Sequence, residues 1–306
     1  MSRRREKGRP VNGILLLDKS TGESSNAALQ SVKRLFDARK AGHTGSLDPL
    51  ASGLLPICFG KATKVSGFLL DANKHYWVRA KLGAKTATGD AEGEITVRDG
   101  KPLPDEATLR SAAENFMGDQ LQTPPMYSAV KHKGKRLYEL ARQGVEVERE
   151  ARPIRIDEFK LLAFNGDSVD MEVRCTKGTY IRTLVEDWAE SVDSYAYVDG
   201  LRRLAVGPFG SENMLNFEQL QEIAEQGTEA LDALLLKIDS ALGDWPSVSL
   251  DPDSAFYFGR GQAVQVPQAP TSGLVRIYDP NERLIAVGEV LDDGRIAPKR
   301  MLVGGK

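Results

Sequence analysis

Gly42-His43-Thr44-Gly45-Ser46-Leu47-Asp48-Pro49-Leu50-Ala51-Ser52-Gly53-Leu54-Leu55-Pro56 is the stretch on which the reading of this chain turns. Gly42 and Gly45 allow the backbone to pass close to a ligand. Asp48 ahead of Pro49 has the form of a helix N-cap with proline at the first helical position, and taken alone the pair predicts a helix start. Gly60-Lys61 invites a phosphate-loop reading, which fails because the first glycine of that pattern would fall on Leu55. With neither a phosphate loop nor a Rossmann glycine pattern, the surrounding strands and helices point to an α+β fold built on a mixed, largely antiparallel sheet with flanking helices.

Working outward, residues 11–19 read as a strand ending in the turn-rich Asp18-Lys19-Ser20-Thr21-Gly22. Ser24 or Ser25 can cap a helix that places Ala28, Val32, Leu35 and Phe36 on one face. A glycine-rich loop over 41–49 is followed by a short apolar stretch and a helix over 62–70. Tyr76, Val78, Ala80 and Leu82 alternate with Trp77, Arg79 and Lys81, which predicts a half-buried strand. Helices are expected over 105–116 and 136–142, the second stopped by Gly144. Strands are expected over 154–164 and 169–175. Residues 180–191 are amphipathic, with Ile181, Leu184, Val185 and Trp188 on one stripe. A strand over 201–206 and helices over 217–225 and 229–242 complete the main domain, 11–245. From 246 to 306 short strands alternate with Gly, Pro and Asp292-Asp293-Gly294 turns, which predicts a small all-β module. Residues 1–10 read as a basic, flexible tail.

The 306 residues are 41% apolar and 27% charged, the composition of an ordinary soluble globular protein. No apolar stretch reaches the roughly 18–20 residues of a membrane helix, and the N-terminus lacks the pattern of a signal peptide. The two cysteines, Cys58 and Cys175, are far apart and have no metal-ligand spacing, so they read as reduced thiols of a cytoplasmic protein. Net charge is −2, but it is unevenly spread. Residues 1–90 hold 16 Lys+Arg and 7 Asp+Glu, a balance of +9 that leaves −11 for the remainder. Such asymmetry points to a polyanion-binding surface on an otherwise acidic protein.

The stretch 42–56, followed by Gly60-Lys61-Ala62-Thr63-Lys64, resembles the catalytic motif of the TruB-type tRNA pseudouridine synthases. Three further segments match that family in the same order. They are Asp18-Lys19-Ser20-Thr21-Gly22 with Ser24-Ser25; Lys74-His75-Tyr76 with Leu82-Gly83, Thr86, Thr88 and Asp90-Ala91-Glu92-Gly93; and Lys177-Gly178-Thr179-Tyr180-Ile181-Arg182-Thr183-Leu184 with residues 201–209. One local departure is Ser194-Tyr195-Ala196-Tyr197-Val198, where the family commonly carries a Gly-Ala-His-like stretch.

The resemblance implies a catalytic domain over 11–245, a PUA-like RNA-binding domain over 246–306, and as substrate uridine 55 in the T-arm of tRNA. It implies no cofactor and no metal, in keeping with an isomerisation that neither gains nor loses atoms. Asp48 then stands at the catalytic aspartate and Arg182 at the arginine that keeps it ionised. Without the resemblance, Arg182 reads as a solvated helix arginine. Tyr76 becomes the ring that meets the extruded uracil, where the strand pattern alone makes it a core tyrosine. His43 matches the residue that supports the RNA once the base is flipped, Lys19 a residue shaping the site or meeting a phosphate, and Tyr180 and Leu201 the pocket wall. Lys131-His132-Lys133-Gly134-Lys135-Arg136 is a candidate phosphate-contacting patch. The chain is expected to act as a monomer.

Two other functions fit parts of the sequence. An RNA-binding protein without catalysis would use the same basic N-terminal third. A glycosidase-like hydrolase would pair Asp48 with a second carboxylate, and no second acid stands out in the four segments.

Overall fold

The computed structural model describes residues 8–303. In chain order, β1 (Gly13–Lys19), α1 (Ser25–Leu35), β2 (Ala41–His43) and β3 (Ser52–Phe59) lead into a 3-10 turn (Gly60–Lys64) and α2 (Ser66–Asp71). Next come β4 (Lys74–Leu82), β5 (Ala84–Thr86), β6 (Ile95–Arg98), α3 (Glu106–Glu114), β7 (Gly118–Gln122), the short hairpin β8 (Lys131–His132) and β9 (Lys135–Arg136), and α4 (Leu137–Ala141). The main domain ends with β10 (Arg152–Asn165), β11 (Ser168–Cys175), α5 (Ile181–Glu190), β12 (Ala196–Val206), α6 (Phe217–Ala224), α7 (Thr228–Ala233) and a second 3-10 turn (Ile238–Leu242). Beyond it lie β13 (Ser247–Ser249), α8 (Pro252–Phe258), β14 (Leu274–Tyr278), β15 (Leu284–Val290) and β16 (Ile296–Met301).

The expected α+β architecture holds. The central sheet runs β1-β3-β12-β4-β11-β10-β7, with β2 paired to β3. Every neighbouring pair is antiparallel except β12 with β3, which is parallel and brief, joining Arg202 to Ser52 and Arg203 to Gly53. The alternation of β4 buries Val78, Ala80 and Leu82 in the main core, where they join Leu184, Val185 and Trp188 of α5. Ser24, not Ser25, caps α1, its side chain accepting from the Ala27 amide.

The C-terminal sheet, β13-β14-β15-β16, has a core of its own around Phe258, Val275, Ile277 and Ile296. A further apolar cluster joins Val287 of β15 and Leu302, just past β16, to Ile14, Leu16, Leu54 and Leu69. The Lys64 ammonium reinforces that seam by donating to the Met301 carbonyl at 2.9 Å.

Several elements differ from expectation. Residues 41–43 form β2 rather than loop. The helix expected over 229–242 is broken, because Leu236 leaves it to exchange backbone hydrogen bonds with Ile14 on β1. Strand β12 begins at Ala196, inside the segment that departs from the family pattern, and a register shift between Val198 and Gly200 masks its alternation. The C-terminal module carries one helix, α8, capped by Asp251 with Pro252 in its first turn. Of the tail expected over 1–10, residues 1–7 lie outside the described residues. Arg9 is anchored, with an ion pair to Asp232 at 2.7 Å and a hydrogen bond to the Phe36 carbonyl.

Where β12 meets β3 the two backbones nearly touch. Gly53 has φ +96°, and a Cβ there would lie 2.3 Å from the Arg203 carbonyl oxygen. Gly53→Ala is therefore expected to destabilise the protein by about 3 kcal/mol or more, from strain at positive φ and from the forced separation of the strands. Gly67→Ala, in α2 with open space around it, should be neutral or stabilising by about 0.5–1 kcal/mol. Urea unfolding of the two variants side by side measures both.

Candidate active site

Asp48 caps no helix. Its carbonyl accepts from the Ala51 amide at 3.0 Å, closing a turn that feeds directly into β3. The loop from Gly45 to Pro49 is fixed from three sides. Ser25 at the start of α1 uses its hydroxyl twice, accepting from the Leu47 amide at 2.7 Å and donating to the Leu47 carbonyl at 3.0 Å. The Gly22 amide donates to the Pro49 carbonyl at 2.8 Å. Arg203 of β12 donates from Nη2 to the Gly45 carbonyl at 3.1 Å. The sequence feature that looked like a cap is instead a braced turn presenting one carboxylate.

Opposite it stands Arg182, in the first turn of α5. Far from being a solvated helix residue, its side chain is 7% exposed and fully engaged. Nη1 donates to the Thr88 carbonyl at 2.7 Å and Nη2 to the Tyr127 carbonyl at 2.8 Å. Nη2 also meets Asp48 Oδ2 at 3.0 Å, and Nη1 lies 3.5 Å from Asp90 Oδ2. Gly178, at φ +81°, makes the bend that turns the chain from β11 into this helix.

Asp90 is a residue to which the sequence alone assigns no role. It is a second carboxylate at the site, 4% exposed, accepting from the Thr88 hydroxyl and the Glu92 amide while facing Arg182. Its signal was present in Thr86, Thr88 and Asp90, which form one turn: the Thr86 hydroxyl donates to the Asp90 carbonyl at 2.7 Å. Thr-Gly-Asp is also ordinary turn chemistry, so nothing in the pattern separated the two uses.

Asp48 keeps 44% of its side chain open to solvent, the one open end of an otherwise buried group of charges. Loss of solvent around it pushes its pKa above the ordinary carboxylate value. Arg182 pulls it back, Asp90 raises it again, and Lys19 opposes that. Arg182 is thus the chief influence favouring the ionised form of Asp48. Glu92 is also pushed upward, by burial first and then by Asp90 and Asp48.

The other expected residues fall around this pair at different depths. Lys19, at the end of β1, is fully buried and donates to the Ser20 and Glu23 carbonyls at 2.8 and 2.7 Å. Burial lowers its pKa, and it acts on Asp48 through space rather than by contact. Tyr76 on β4 is half-buried with its hydroxyl enclosed, so burial raises its pKa and the phenol stays neutral. Tyr180 is held by Gln122, whose side chain accepts from the Tyr180 amide at 2.8 Å and donates to its carbonyl at 3.1 Å. Leu201 lies buried on β12, paired with Val78. His43 is brought beside Arg203 rather than Asp48. Burial and that guanidinium lower its pKa, and its buried Nδ1 has no hydrogen-bond partner among the described residues.

The patch over 131–136 forms the exposed β8–β9 hairpin. Its base is tied to the site, because the Tyr138 amide donates to the Ser128 carbonyl, one residue from the carbonyl that Arg182 holds. Among the described residues no group of His, Cys, Asp and Glu is arranged to hold a metal ion. No helix there is long and apolar enough to cross a membrane.

Residues 33–181 match the model of the TruB family pseudouridylate synthase N-terminal domain. Residues 182–243 match the tRNA pseudouridylate synthase B C-terminal domain, and residues 246–302 the pseudouridine synthase II TruB C-terminal domain. The chain is 51% identical over 299 residues to the tRNA pseudouridine synthase B of Nitrosococcus oceani, covering 98% of this chain and 97% of that one. It is 49% identical over 312 residues to the protein of the same name from Escherichia coli O139:H28, covering 99% of both. In three dimensions it resembles a chain of a Cbf5-Nop10-Gar1 complex, with a TM-score of 0.75 at 23% identity over 99% of this chain and 91% of that one, a likeness of fold. With full-length identity of this order, the chain belongs to the TruB family of pseudouridylate synthases.

Proposed function

We propose that this protein isomerises uridine 55 in the T-arm of tRNA to pseudouridine, acting as a monomer in the cytoplasm, with Asp48 as the reacting carboxylate. The observation that carries the reading is the Asp48–Arg182 pair, 3.0 Å apart, with only the carboxylate reachable from solvent. The relatives' shared name, tRNA pseudouridine synthase B, supports tRNA as the substrate.

The reaction breaks the N1–C1′ bond, turns the uracil, forms the C5–C1′ bond, and moves a proton from C5 while N1 gains one. Atoms and electrons balance within the nucleotide. What the protein supplies is an ionised carboxylate to meet the base or the sugar as that bond breaks. A uridine paired or stacked in the T-arm must first be flipped out, at a cost of a few kcal/mol. Tyr76 then offers its ring to the uracil, Tyr180 and Leu201 close the pocket, and Lys19 adds positive potential behind Asp48. His43 supports the RNA left by the flipped base. The β8–β9 hairpin meets phosphates through Lys131, Lys133 and Lys135, all exposed. Residues 246–306 form a PUA-like RNA-binding domain beside the catalytic domain, 11–245.

The hydrolase reading gains Asp90 as the second carboxylate it lacked. Asp90 is nevertheless committed to Arg182, Thr88 and the Glu92 amide and is only 4% exposed, which does not suit a carboxylate that must activate water.

Incubating the protein with unmodified tRNA and mapping pseudouridine by position should give one product, in the T-loop. Asp48→Asn should lower its rate by at least about a thousandfold; tRNA bound normally but left unmodified by the wild type would sink the proposal. The same substitution separates chemistry from folding. The folded state holds the Asp48 proton more tightly than the unfolded chain, so ionisation costs stability as pH rises from the ordinary carboxylate value to the raised one, and that cost persists above it. Asp48→Asn should therefore melt no lower than wild type at pH 8, with any difference closing below about pH 4.

Arg182→Met removes the group that holds the Asp48 pKa down. The acid limb of the pH–rate profile should move to higher pH by about one unit or more, and an unmoved limb in a folded variant would separate Arg182 from Asp48 ionisation.

A further inference from the structure

One buried cation takes no part in the chemistry described above. Arg203 is 1% exposed on β12. In the ladder it pairs with Tyr76 of β4 on one side and with Gly53 of β3 on the other. Its guanidinium reaches across the sheet, Nε donating to the Leu54 carbonyl at 2.8 Å and Nη2 to the Gly45 carbonyl at 3.1 Å. No carboxylate among the described residues lies within ion-pair distance of it, although the adjacent Arg202 is paired with Asp18 at 2.7 Å. The ionisable groups it acts on are Lys19, Lys74, His43 and Tyr76, none of them acidic at neutral pH.

Burying a guanidinium with only neutral partners, two carbonyls and the Tyr76 hydroxyl, is costly, and an apolar side chain of similar length would pack the same space at lower cost. The charge therefore serves something other than stability. We propose that Arg203 is a positioning residue of the pseudouridylate synthase site, a guanidinium without an acid partner that ties the Gly45 end of the Asp48 loop to the strand pair bearing Tyr76. The fork fixes where the loop begins, three residues before Asp48. The missing acid leaves the positive field acting on the pocket floor, where it favours the neutral form of His43 and polarises the Tyr76 hydroxyl. The inference rests on the functional reading for its activity test, but not for its second test.

Arg203→Met removes charge and fork, whereas Arg203→Lys keeps the charge and loses the planar fork. In single-turnover reactions with tRNA, Arg203→Met should be slower by about a hundredfold, the usual consequence of a misplaced reacting group, with tRNA affinity changed less than about threefold. Arg203→Lys should recover to within about tenfold of wild type. Because the chain has three histidines, proton NMR can follow His43 directly. Its pKa should rise in Arg203→Met and stay in place in Arg203→Lys. A folded Arg203→Met with a rate within about twofold of wild type, or equal losses in both variants with His43 unmoved, would overturn the proposal. Should Arg203→Met not fold, Arg203→Lys decides: a reduced rate with His43 unmoved supports it, and the full wild-type rate overturns it. Wild-type protein that makes no pseudouridine in tRNA would instead refute the functional reading, leaving the His43 titration to judge Arg203.

Discussion

The guanidinium of Arg182 is the constraint around which this site is organised. A single planar group, almost wholly buried, joins four segments far apart in the chain: the Asp48 loop, the Thr88–Asp90 turn, the Tyr127 carbonyl and α5 itself. A lysine could not do this, having neither the planar fork nor the five fixed donors. Removing the group would leave Asp90 buried without its cation, a loss on the order of 3–5 kcal/mol. The contest over Asp48 follows from the same arrangement: desolvation and Asp90 push it toward the neutral form, and Arg182 and Lys19 push back. The carboxylate is thus held between groups that favour its neutral form and groups that favour its charge.

Much of the fold was legible because burial in a sheet leaves a period-two trace. Tyr76, Val78, Ala80 and Leu82 announced β4, and the strand expected over 169–175 is β11, with Val169, Met171, Val173 and Cys175 buried on one face. What escaped notice has physical causes. The first half of β12 hides behind a register shift at Asp199 and Gly200. The break after α7 is set by a backbone bridge from Leu236 to Ile14, more than two hundred residues away, and no local propensity encodes it. Helix α8 is seven residues long, too short to establish a helical period.

The site was legible only in part, and unevenly. Asp48 and Arg182 were found through resemblance, while their own local patterns suggested a helix cap and a solvated arginine. Both patterns were misleading for the same reason. Cap-like and surface-like residues can be recruited into a buried cluster when a distant segment supplies the partner. Asp90 and Arg203 were missed because a turn acid and a strand arginine are common, and what distinguishes them is who stands opposite.

The seam between the two sheets carries a consequence for how such a protein can change over time. Val287 and Leu302 belong to the C-terminal module by sequence but pack among Ile14, Leu16, Leu54 and Leu69 of the main domain, and the Lys64 ammonium is hooked onto the last strand. The C-terminal sheet is therefore not a cartridge to be swapped at residue 246. A replacement would have to arrive with an underside already cut to fit, so the two units are bound to vary in step along that face while their outer surfaces drift independently.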